Sequence, residues 1–81
     1  MKLKVKLFGD LIRYSPSGRD VFDLEVPGFN GSDATVKELI RVLGIPEGEV
    51  WIVTVNGVQA QAERILTEGD EVMIFAPVMG G

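Results

Sequence analysis

The sequence predicts an α+β fold in which a mixed sheet of four to five strands packs on one main helix and an extended tail follows. Three observations predict it. Residues 2–8 and 21–26 alternate between apolar and polar side chains with the period of a half-buried strand. Residues 36–43 carry apolar side chains at helical spacing. Residues 50–55 and 71–75 are short apolar runs bounded by turn formers. No internal repeat, low-complexity run or linker divides the 81 residues, so they read as one domain, 1–81, with 76–81 as the C-terminal tail.

The first strand puts Leu3, Val5 and Leu7 on the core face and Lys2, Lys4 and Lys6 in water. The segment Tyr14-Ser15-Pro16-Ser17-Gly18-Arg19-Asp20 is dense in turn formers, and beyond it Phe22, Leu24 and Val26 point inward from a second strand. The two strands read as a hairpin. Residues 11–14 between them fit either a cap on that hairpin or a short helical turn, and are assigned to loop. Pro27-Gly28 ends the second strand, and Asn30-Gly31-Ser32-Asp33 makes another turn.

Thr35 and Glu38 have the spacing of a capping box, in which each side chain satisfies the other's backbone donor, so a helix should begin at Thr35. Val36, Leu39, Ile40 and Leu43 form its apolar stripe, while Lys37, Glu38 and Arg41 face water. Gly44 takes the left-handed cap position and Pro46 blocks continuation. So short a helix needs the sheet to be stable.

Val50 to Val55 is apolar on both faces, as in a central strand, and Asn56-Gly57 is a strong tight-turn signal after which Val58 to Ala60 pairs back. Gln61 to Thr67 connects, with Ile65 and Leu66 as anchors, and Glu68-Gly69-Asp70 turns into a last strand, Glu71 to Phe75. Its Val72 and Ile74 share one face and Met73 and Phe75 the other. Two hairpins flanking one helix, with the first and last strands meeting in mid-sheet, describe a β-grasp, ubiquitin-like fold. Trp51 reads as core. Phe75 stands where the last strand hands over to the tail, and is open to a docking role.

Composition excludes several functions. A hydrophobic fraction of 46% and a charged fraction of 25% are those of an ordinary globular protein, so disorder is set aside. With 12 acidic and 8 basic residues and a net charge of -4, the chain lacks the clustered positive footprint of a nucleic-acid binder. It contains neither cysteine nor histidine, hence no thiol nucleophile, disulfide, usual zinc site or imidazole base. A self-sufficient enzyme is not expected. Met1 to Lys6 has charge at every second position, so no apolar signal core is present, and no stretch approaches membrane-spanning length; a cytoplasmic protein is expected.

The informative part is the end, Phe75-Ala76-Pro77-Val78-Met79-Gly80-Gly81. Pro77 lacks a backbone donor and cannot continue the strand. Gly80-Gly81 removes every β-carbon near the last carboxyl group, which lets the tail lie in a narrow channel. Glycine is 10 of 81 residues here, about 12%, so a chance terminal pair has a frequency of about 1.5%. An idle tail would be polar. This one carries Phe75, Val78 and Met79, and looks made to be gripped.

The chain resembles the MoaD and ThiS sulfur carriers, the small subunit of molybdopterin synthase and the thiamine sulfur carrier. The resemblance rests on Phe8-Gly9 after the opening strand, Ala34-Thr35-Val36-Lys37-Glu38-Leu39, Val53-Thr54-Val55-Asn56-Gly57, Leu66-Thr67-Glu68-Gly69-Asp70-Glu71-Val72 and the Pro77-Val78-Met79-Gly80-Gly81 end. The proline in the tail is similar to the molybdopterin type, although Ala76 stands where a second proline is common and the helical segment is short for that family.

The resemblance implies that a partner of the ubiquitin-activating class uses ATP to adenylate the Gly81 carboxylate, which a sulfur donor then converts to a thiocarboxylate. Gly80 would permit entry into the partner's channel, Pro77, Val78 and Met79 would hold the tail extended, and Phe75 would belong to the docking patch. It further implies an acceptor, the large catalytic subunit of a molybdopterin synthase or a similar enzyme, and no cofactor or metal on this chain. A thiamine-type carrier, a ubiquitin-like modifier joined to other proteins through Gly81, and a plain β-grasp interaction module are the alternatives.

Overall fold

The computed structural model describes residues 1–26 and 34–77. The turn expected at residues 27–33 and the tail residues Val78, Met79, Gly80 and Gly81 lie outside the described residues. Among the described residues are five strands and one α-helix, in the order β1 (Lys2–Leu7), β2 (Val21–Glu25), α1 (Val36–Leu43), β3 (Ile52–Val55), β4 (Val58–Ala60) and β5 (Glu71–Phe75). They form a single sheet ordered β2-β1-β5-β3-β4. The first and last strands meet in its middle as a parallel pair, with Val5 opposite Val72 and Leu7 opposite Ile74, while both hairpins are antiparallel. This is the β-grasp arrangement the element order predicts.

The alternation of β1 has the expected consequence: Leu3, Val5 and Leu7 are buried and Lys2 and Lys4 are exposed. Val72 and Ile74 of β5 and Val53 and Val55 of β3 join them in one cluster with Val36 and Leu39 of α1. Lys6, Met73, Phe75 and Ile52 are only partly buried, on the face turned away from the helix. Among the described residues no helix is long and apolar enough to cross a membrane.

The helix ends follow the sequence with one amendment. Thr35 Oγ1 accepts from the Glu38 amide at 3.2 Å, but the Glu38 carboxylate pairs with Arg41 rather than reaching back to Thr35, so half of the capping box forms. The first helical amides are met from outside, Val36 N–H donating to the Arg64 carbonyl and Lys37 N–H to that of Ala62, both at 3.0 Å. At the other end Gly44 has φ 77°, and the Ile45 amide closes back on the Ile40 carbonyl, as in a glycine-capped terminus.

Four expectations are corrected. Residues 11–14, assigned to loop, belong to a 3-10 turn over Gly9–Tyr14 that buries Leu11 completely. The run from Val50 makes an interior strand, between β5 and β4, but a shorter one than expected. β3 starts at Ile52 after a second 3-10 turn at Glu47–Glu49, and β5 takes the centre. Trp51 is 60% exposed instead of core. A helix of eight residues is about 12 Å long, and the buried cluster it covers includes Val53 and Val55 but not Trp51. Leu66 is the anchor it was expected to be, whereas Ile65 is 50% exposed and is held by a backbone bridge to Thr35.

Candidate functional site

The tail departs from a built exit. Phe75, last residue of β5, lies opposite Ile52 of β3, and its carbonyl accepts from the Trp51 amide at 2.8 Å. From the other side the Phe8 amide donates to the Ile74 carbonyl at 3.1 Å, and the Phe8 ring stacks on the Phe75 ring, centroids 4.3 Å apart and planes 13° from parallel. Lys6 places its ammonium 4.9 Å from the centre of the Phe8 ring. An open hollow of about 420 Å³ lies here, lined by Phe8, Gly9, Asp10, Trp51, Phe75, Ala76 and Pro77.

Several contacts brace this exit. Leu11 anchors the Gly9–Tyr14 turn in the core. At the end of that turn the Tyr14 hydroxyl donates to Glu49 Oε2 at 2.7 Å, and Arg13 pairs with the other carboxylate oxygen. The Tyr14 hydroxyl, with the Arg13 guanidinium, holds the Glu49 carboxyl below the usual carboxylate range against a smaller opposing effect of desolvation. The turn that follows Phe8 is thereby tied to the segment that leads into Trp51.

The chemical reading of this surface is contact. It is mainly aromatic and apolar, with Lys6 over one ring and Asp10 at the rim, and exposed Trp, Tyr and Phe side chains are what partner surfaces use as anchors. Of the residues singled out in the sequence, Phe75 and Pro77 line the hollow. Val78, Met79, Gly80 and Gly81 lie outside the described residues, so the geometry speaks only for the base of the tail. A larger hollow of about 570 Å³ beside α1 has Ile40, Ile45 and Val50 in its lining and is bordered by neither Ala76 nor Pro77, the described tail residues.

Two residues of the exit were missed in the sequence. Phe8 was recoverable, since it continues the even-numbered series of Lys2, Lys4 and Lys6 and so points away from the helix. Trp51 was not, because alternation groups it with the buried Val53 and Val55.

Comparison with known proteins agrees with the fold. No curated protein matches the chain in sequence. Among solved structures it is similar to SAMP1 of Haloferax volcanii, at 25% identity over the whole of both chains with a TM-score of 0.70. It is also similar to the putative molybdopterin converting factor subunit 1 of Pyrococcus furiosus, at 27% identity over 96% of this chain and 99% of that one with a TM-score of 0.68. A complex of subunits 1 and 2 of the molybdopterin-converting factor of Helicobacter pylori provides a third, at 22% identity over both full lengths with a TM-score of 0.61, which speaks for the fold alone. These neighbours uphold the likeness to ubiquitin-like sulfur carriers read from the sequence. The model of the Mut7-C ubiquitin family matches residues 2–79, nearly the full length, and the chain belongs to that family.

Proposed function

We infer that the protein is a sulfur carrier that works through the carboxyl group of Gly81. The observation that carries this reading is the placement of Pro77 at an aromatic exit from the sheet, which leads directly into the Val78-Met79-Gly80-Gly81 sequence. An activating enzyme transfers AMP from ATP to the Gly81 carboxylate and releases pyrophosphate. The terminal sulfur of a persulfide displaces AMP from the acyl carbon, and a second thiol cleaves the resulting acyl disulfide, leaving the thiocarboxylate. Activation is needed because a carboxylate is a poor acyl donor and AMP a good leaving group. Gly80 offers no side chain to a narrow channel, Pro77, Val78 and Met79 keep the tail extended, and Phe75 with Trp51 supplies the apolar docking surface.

The acceptor proposed is a cyclic pterin precursor on a partner catalytic subunit, as in assembly of a molybdenum or tungsten cofactor. Support comes from Pro77 in the tail and from the likeness to the subunit 1 protein of Pyrococcus furiosus. The chain itself acts as carrier and co-substrate, without metal or cofactor, in the cytoplasm where ATP is available. A second reading, conjugation of Gly81 to lysines of other proteins, draws on the likeness to SAMP1, named as a small archaeal modifier protein.

Intact mass measurement of protein recovered from its own cells tests the carrier reading. A species about 16 Da heavier, sulfur in place of one C-terminal oxygen, is expected. Recovery of the tail only in isopeptide linkage would favour the modifier, and full activity in cells after deletion of Gly81 would overturn both.

A further inference from the structure

Residues Phe75 and Ala76 are held more firmly than the base of a loose tail needs to be. The Phe8 and Trp51 amides bond to consecutive carbonyls, those of Ile74 and Phe75, and the Phe8 ring covers that of Phe75. Directly after Phe8 the chain turns through Gly9 at φ 64°, a conformation that favours glycine. A β-carbon on Gly9 would sit 3.7 Å from that of Ala76, so the backbone of this turn lies against the first residue beyond the strand. The turn is itself immobilised, by Leu11 at its middle and by the Arg13–Tyr14–Glu49 cluster at its end.

We propose that Phe8 and Gly9 form a collar that fixes the direction in which the chain leaves β5, and that they are positioning residues for capture of the tail by the activating enzyme. The proposal rests on the carrier reading for its function, though not for its geometry. A flexible segment loses conformational freedom when it enters a channel, and holding its base in the bound direction removes part of that cost beforehand. The collar makes no contact with the reacting carboxyl group, so its effect falls on capture and not on chemistry. Phe8 also lines the hollow beside Trp51 and Phe75, so a docking role must be told apart from a positioning one by experiment.

Phe8→Leu keeps apolar volume and removes the stack. In pyrophosphate exchange with ATP and the activating enzyme of the same organism, it should raise KM about 10-fold with kcat unchanged, the pattern of lost uniform binding. In a chain truncated after Pro77 the same substitution should leave affinity for that enzyme unchanged. An equal weakening in the full-length and truncated chains would make Phe8 a docking contact and overturn the proposal.

A second readout needs no enzyme. The amide order parameter of Ala76 should drop from about 0.85 to below about 0.6 in Phe8→Leu and in Gly9→Ala, while β1 and β5 amides keep theirs. An unchanged Ala76 in either folded variant also overturns the proposal. Absence of exchange with the wild-type chain would refute the carrier reading, with the Ala76 measurement still deciding for or against the collar.

Discussion

Among the described residues, Asp70 is the buried charged side chain. It is 8% exposed, and its carboxylate accepts from the Thr67 amide at 2.8 Å, from the Asn56 side chain at 3.0 Å and from the Thr67 hydroxyl at 3.2 Å. Asn56 in turn accepts from the Glu71 amide, so one carboxylate joins the turn before β5 to the turn after β3. Desolvation pushes the Asp70 pKa up. The Thr67 amide, Asn56 and the Thr67 hydroxyl, aided by Arg64, outweigh it and leave the carboxyl below its usual value. A carboxyl whose folded pKa is depressed adds stability that is complete above its unfolded pKa, about 3.9, and disappears as pH falls through the lower folded value. Asp70→Ala should therefore cost about 1–3 kcal/mol at pH 7 by leaving buried donors unpaired. Urea titrations should show that cost shrinking as pH is lowered from 5 toward 2, and a cost independent of pH would contradict the assignment. Trp51 is the opposite kind of residue, large and exposed beside the hollow at the tail exit, and its value lies in contact rather than in the core.

At the scale of elements, the 3-10 turn over Gly9–Tyr14 decides more than its length suggests. It closes one side of the core with Leu11, which is fully buried, and it delivers Gly9 to the tail exit. Leu11→Ala is expected to cost about 2–5 kcal/mol, the range for truncating a buried leucine, measured by denaturant unfolding. Ile12→Ala, one residue on and 36% exposed, should cost far less, and equal costs would refute the account. Sequence alone left this segment open because a single turn has too few residues to show a period. The helix was legible because its stripe and both ends carry independent signals. Its capping box forms only in half, since Arg41, one turn on, offers Glu38 an ion pair.

For the molecule as a whole, the sheet order separates stability from function. Each hairpin occupies an edge, the parallel pair β1–β5 lies at the centre, and the described core residues all precede Ala76. Truncation after Pro77 should accordingly move the thermal midpoint by less than about 4 °C, equivalent to under about 1 kcal/mol, while abolishing adenylation. A larger loss of stability would mean that the tail is part of the core. The sequence by itself determined the strands, the helix with its glycine cap and the diglycine motif, because periodicity and turn chemistry are local properties, and the order of those elements implied that the first and last strands pair. Only the tertiary structure decided that Trp51 stays outside, that Phe8 stacks on Phe75 and that Gly9 rests against Ala76. The last two contacts each join residues 67 positions apart along the chain, and such meetings depend on how the sheet is assembled rather than on any pattern within a segment.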